Sequence, residues 1–214
     1  MTNGSDPTMT LDLRDLGAIQ LDALREVSNM GAGHAATALS QMTNTRIMIN
    51  VPRLQVTALE DVPDIMGNPS EVVAAVLMHM LGDLTGRTLL IFPRNAAMRL
   101  AEILMHRQPG TSHVFGELEQ SAIKEAGNIL SAAYMNALSD FMGLMLLPSV
   151  PSLVIDLCGA VLTTAYTNFG HERDYVFCIQ TEFLMEGDEV VQGQFLLLPD
   201  VESLEIILQA IRLA

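Results

Sequence analysis

Positive charge is scarce in this chain: 11 lysines and arginines, with Lys124 the only lysine, stand against 25 acidic residues, a formal net charge of −14. Nucleic acids and anionic membranes are bound by positive fields, so this balance argues against a general binder of either. Cysteine is also rare. Cys158 and Cys178 lie in apolar runs without metal-ligand spacing, which predicts buried free thiols in a cytoplasmic protein and not a disulfide. No apolar run spans a bilayer, because 72–78 is too short and Pro148 and Pro151 interrupt 141–155. Residues 1–10 lack the charged start and apolar centre of a signal peptide, so no membrane insertion is expected. The chain has no Walker lysine, no zincin motif and no Cys-x-x-Cys, and its five histidines are scattered. No serine sits in a nucleophile elbow. Neither a metal site nor a nucleophile of its own is predicted.

Gly31-x-Gly33-x-x-Ala36 has the spacing of a dinucleotide-binding loop, but no strand precedes it. It falls inside a predicted helix, where small residues permit close approach of a neighbouring element. What the chain does have is apolar content. Half of its 214 residues are hydrophobic and 17% are charged, which suits a globular fold with a substantial core.

The most informative pattern is Asp22-x₃-Glu26-x₂-Asn29, which recurs as Ser121-x₃-Glu125-x₂-Asn128, 99 positions later. Twenty-two residues separate each asparagine from a proline, Pro52 or Pro151. Steps of four and three place each triplet on one helical face. The repetition extends further. Ala38-Leu39-Ser40 matches Ala137-Leu138-Ser139, and the run from Gly86 to Pro93 resembles that from Gly193 to Pro199. A period near 100 is too long for a solenoid and indicates duplication into two halves about a pseudo-twofold axis. We expect a single domain over 1–214 made of two repeats, 13–106 and 114–214, with a Pro-Gly joint at 107–113.

Helical periodicity predicts long helices over 15–42 and 117–142. Their apolar stripes read as Leu16, Ile19, Ala23, Val27 and Met30, and as Ala122, Ala126, Ile129, Ala133 and Ala137. First strands are expected at 46–51 and 144–150, each ending near its motif proline. Hairpins follow at 71–81 with 87–92 and at 174–185 with 190–198, then amphipathic segments at 96–105 and 201–211. The apolar stretch after Pro151 reads as a helix. The fold class is α+β, with two pseudo-symmetric α-β-β-β-α halves. An antiparallel sheet of about six strands would carry two long, exposed, motif-bearing helices.

A carboxamide donates and accepts hydrogen bonds but takes no proton, so Asn29 and Asn128 could hold a water in line with an electrophile. Phosphoryl transfer is the chemistry in which positioning counts most. Glutamate cannot hold a phosphate dianion, yet it can anchor a cation beside one, such as a partner's lysine. Two side chains lent to another protein's catalytic pocket fit this pattern.

The doubled motif resembles that of the CheC family of response-regulator phosphatases, in the CheC/CheX/FliY group. The similarity runs through Asn29-Met-Gly-Ala-Gly-His-Ala-Ala36 and Leu153-Val-Ile-Asp156. The resemblance implies dephosphorylation of phosphorylated CheY, the chemotaxis response regulator. Glu26 and Glu125 would pair with the regulator's lysine, and Asn29 and Asn128 would orient the attacking water. Asp22 and Ser121 would support contact, and Pro52 and Pro151 would be structural. Mg²⁺ would come from the receiver domain, with no cofactor belonging to this chain. The resemblance also implies binding of CheD, the receptor glutamine deamidase, through helix-like 152–168 with Asp156 as its lone carboxylate; core packing is the equal alternative for that run. The rival to catalysis is a non-catalytic scaffold of the flagellar switch, or a regulator of CheD.

Overall fold

The computed structural model describes residues 17–58, 61–66, 68–167, 175–185 and 189–213. The first half runs α1 (Ala18–Thr43), β1 (Met48–Ala58), α2 (Val62–Met66), β2 (Val72–Gly82), β3 (Gly86–Pro93) and α3 (Arg94–Leu104). The second repeats that order as α4 (Glu117–Met142), β4 (Leu146–Pro148), β5 (Ser152–Leu157), α5 (Cys158–Thr167), β6 (Tyr175–Leu184), β7 (Val190–Pro199) and α6 (Val201–Leu213).

The two long helices end alike. Asn44 (φ 46°) and Gly143 (φ 67°), at matching positions of the repeat, adopt the left-handed conformation that stops a helix. One turn earlier, Ser40 donates its hydroxyl to the carbonyl of Ile47 at 3.0 Å, and Ser139 does the same to Leu144. The matched Ala-Leu-Ser triplets therefore supply a buried leucine and a serine that ties each helix to the chain leaving it.

The sheet is antiparallel, in the order β1-β6-β7-β3-β2, with β4 and β5 both on the far side of β2. Each half's first strand pairs with the other half's hairpin, and the hairpins meet where β3 pairs β7. The pseudo-twofold therefore passes between β3 and β7. β4 and β5 occupy one position in the sheet, giving six.

At the β2–β3 turn, Gly82 has φ +116°, and a Cβ there would lie 2.2 Å from the Met145 carbonyl oxygen. Asp83 fixes the same approach, its N–H donating to Met145 O at 2.9 Å and its carboxylate accepting from Met145 N at 2.8 Å.

Three expectations are corrected. The first strand does not stop at Pro52: β1 continues to Ala58 through a register shift between Asn50 and Arg53, so the proline falls where no ladder N–H is required. The strand expected at 144–150 shrinks to β4. The run after Pro151 begins as a strand, not a helix, because the open edge of β2 pairs with Ser152–Leu157 and its branched Val154 and Ile155 suit a pleated surface. Helix appears only from Cys158. The 186–188 turn of the second hairpin lies outside the described residues.

One sheet face carries α1, α3, α4 and α6 over a core that includes Leu24, Leu39, Phe92, Leu130, Phe183 and Phe195. The other is covered by α2 and α5, which bury Val73, Ile91 and Leu196 with Val62 and Leu162. α1 meets α4 at Gly31, where a Cβ would stand 2.8 Å from Tyr134 Cδ1 and 3.0 Å from its Cα. Gly33 faces open space, so the expected close approach belongs to Gly31 alone.

The joint between halves is pinned by Glu102, 2% exposed, which accepts from Ser112 N at 2.8 Å and Gly110 N at 3.0 Å. Burial would raise its pKa, but those two bonds and the Arg99 guanidinium hold it below the usual carboxylate range. Cys158 and Cys178 are buried free thiols, and burial pushes the Cys178 thiol up to about 12. No described helix is long and apolar enough to cross a membrane.

Candidate active site

Leu24, Val27, Ser28, Gly31, Ala32, Ala35 and Leu39 form the buried side of α1. At about 100° per residue, Asp22, Glu26 and Asn29 fall on the opposite side, and all three are exposed. The apolar stripe predicted for this helix was partly mistaken. Val27 is buried, but Ile19 is 79% exposed and Met30 is 45% exposed, on the same side as the triplet. Helical period gives the existence of a stripe; which of two apolar rows meets the sheet is decided by Gly31 and Ala32 lying against the neighbouring layer.

α4 repeats the arrangement with one difference. Ser121 and Glu125 are exposed, whereas Asn128 is half-buried. The buried side of α4 is wider, taking in Met135 on the flank where Asn128 lies, where the matching Ala36 of α1 is only half-buried. Of its predicted stripe, Ala126, Ala133 and Ala137 are buried and Ala122 and Ile129 are half-buried.

The side chains of Asp22, Glu26, Asn29, Ser121, Glu125 and Asn128 make no hydrogen bond or ion pair among the described residues. The two glutamate carboxylates are thus free to meet an external cation. The two carboxamides each keep an unused donor and acceptor, enough to hold one water against an acceptor oxygen. Arg25, adjacent to Glu26, points elsewhere: its Nη2 donates to the Pro52 carbonyl at 3.4 Å. This tie was missed in the sequence, although a basic residue precedes the motif glutamate in both copies, Arg25 and Lys124. Pro151, half-buried, lies in the break between β4 and β5. Pro52 thus sits in the register shift of a continuous β1, and Pro151 in a true break between strands.

Asp156 is far from helical. It lies on edge strand β5 opposite Val73, is exposed, and accepts from the N–H of Leu157 at 2.7 Å. β5 has a strand neighbour on one side only among the described residues. Among the described residues no cluster of His, Cys, Asp or Glu could hold a metal ion.

The family model described as CheC-like matches residues 19–55 and 118–155, the two motif helices with the strands after them. The CheY-P phosphatase CheC of Bacillus subtilis is 33% identical over 189 residues, covering 87% of this chain and 90% of that protein. The flagellar motor switch phosphatase FliY of the same organism is 26% identical over 129 residues, 60% of this chain and 33% of that longer protein. In three dimensions the crystal structure of Thermotoga maritima FliY superposes with a TM-score of 0.75 at 20% identity, covering 92% of this chain and 98% of that one.

Proposed function

This chain belongs to the CheC-like family, and from that premise we propose that it is a cytoplasmic phosphatase acting on the aspartyl phosphate of a phosphorylated response regulator, CheY of chemotaxis. A docked receiver domain brings its phosphate and its lysine against one motif helix. Glu26, or Glu125 in the second copy, takes the lysine ammonium in a charge-assisted bond. Asn29, or Asn128, holds a water on the side of phosphorus opposite the aspartyl oxygen. The water oxygen bonds to phosphorus as the bond to the aspartyl oxygen breaks. The aspartate leaves as a carboxylate, and both water hydrogens depart on inorganic phosphate. The asparagine carries no proton at any stage; it contributes orientation. The receiver supplies the phosphoryl group and Mg²⁺ as parts of the substrate.

One observation carries this reading: two Glu–Asn pairs in the same register, on different helices, reach the surface with no side-chain partner among the described residues. Asp22 and Ser121 support contact at the rim, and Pro52 and Pro151 shape the strands beneath. The test is phosphate release from phosphorylated CheY with Mg²⁺ present. Alanine at Glu26 and Asn29, or at Glu125 and Asn128, should remove one site each, and the quadruple variant should be inert.

A second role has its own support. β5 and its approach expose Val150 (87%), Val154, Ile155 and Leu157 beside the single carboxylate of Asp156, along a sheet edge whose outer backbone groups have no strand neighbour among the described residues. We propose this edge as the surface for CheD, by addition of a strand in place of the helix docking expected from the sequence. Were the chain only a scaffold, CheD binding would survive the quadruple change and the parent would release no phosphate.

A further inference from the structure

The two motif helices repeat more than their polar triplets. Ile19 stands three residues before Asp22, and Leu118 stands three before Ser121. Met30 follows Asn29 directly, as Ile129 follows Asn128. Three of the four are not core, and the fourth, Ile129, packs only partly against it. Ile19 is 79% exposed, Leu118 64% and Met30 45%, and Ile129 is half-buried. Lone exposed aliphatic residues are ordinary on protein surfaces. Here they recur in register in two halves that differ widely elsewhere, and they share an arc of about 100° with the carboxylate and carboxamide. Each helix therefore presents apolar, acid, amide and apolar groups in line, with the apolar ends about 16 Å apart along the axis.

We infer that Ile19 with Met30, and Leu118 with Ile129, are the docking contacts for the phosphorylated receiver domain and set its affinity without touching the reacting atoms. This rests on the phosphatase reading above, which supplies the occupant. The polar groups specify what must lie between the apolar contacts: a cation for the glutamate and a phosphoryl group for the water held by asparagine. A receiver domain presents both in one cleft, and its rim must meet the aliphatic ends for the cleft to seat. Burying an aliphatic side chain at each end excludes water from that cleft, which strengthens the glutamate–lysine pair inside it. Docking and positioning are thus divided among neighbouring side chains of one helix.

The test separates docking from chemistry. Binding is measured with CheY carrying beryllium trifluoride and Mg²⁺ as a stable phosphate mimic, against the parent, the Ile19→Ser/Leu118→Ser double variant and the Ile19→Leu/Leu118→Ile control. The double variant should bind about tenfold more weakly and the control like the parent, with thermal unfolding midpoints unchanged because the sites are exposed. In phosphate-release assays with substrate CheY-P, the double variant should raise KM about tenfold and lower kcat less than twofold. Unchanged binding in the double variant, or a parent that does not bind the mimic, would overturn the docking assignment. A parent that binds tightly and responds to Ile19→Ser/Leu118→Ser, yet releases no phosphate, would uphold it and refute the phosphatase reading alone.

Discussion

Arg25 and Pro52 are joined by a hydrogen bond of 3.4 Å from the guanidinium Nη2 to the backbone carbonyl. The residue beside Glu26 thereby reaches the motif proline, which lies within the register shift of β1. The tie is exposed, so its energy is small. Arg25→Ala is expected to cost no more than about 1 kcal/mol in urea unfolding.

The contact of α1 with α4 should be far less tolerant. Gly31→Ala places a methyl 3.0 Å from the Tyr134 Cα, inside a packed layer where neither backbone nor the buried ring can give way cheaply. A loss of about 1–3 kcal/mol is expected. Gly33→Ala, in the same helix but facing open space, should instead stabilise by about 0.5–1 kcal/mol. Paired denaturant titrations of the two variants check the prediction.

Acid should act through the joint. The folded-state pKa of Glu102 is lowered, so its contribution is complete above the unfolded-chain value, about 4.3, and is lost as pH falls through the folded value. Glu102→Gln should be destabilised at pH 7 because the bonds from Ser112, Gly110 and Arg99 lose their charged acceptor. The gap between parent and variant should narrow steadily below about pH 4. A gap that stayed constant to pH 3 would place the stabilisation elsewhere.

Much of this architecture is legible in the sequence because it is local. Helical spacing puts Glu26 and Asn29 on one face, and β-branched runs with glycine turns give the hairpins. The duplication predicts that whatever holds for the first half holds for the second, as the matching caps Asn44 and Gly143 show. What escaped depends on contacts distant along the chain. Pairing β1 with β6, and β5 with β2, crosses between halves, and no local pattern encodes it. That pairing carries β1 through Pro52 and converts Ser152–Leu157 from an expected helix into a strand. The outward facing of Ile19 and Met30 is equally non-local, since α1 offers two apolar rows and the one with Gly31 packs against Tyr134 of α4.

The open edge of β5 yields a separate prediction. Val154→Lys adds a charge to an exposed apolar strand position without disturbing the motif helices. CheD binding, measured by titration calorimetry, should weaken at least tenfold while release of phosphate from CheY-P is unaltered. Loss of both functions together would mean that one surface serves both partners.

Most direct is a time course of phosphate release from phosphorylated CheY with Mg²⁺, comparing the parent with the variant carrying alanine at Glu26, Asn29, Glu125 and Asn128. The account predicts accelerated hydrolysis by the parent and a loss of about a hundredfold or more in the variant, with its unfolding midpoint preserved. Equal rates for the two folded proteins would contradict it, for then the outward carboxylate–carboxamide pairs would have no part in the chemistry.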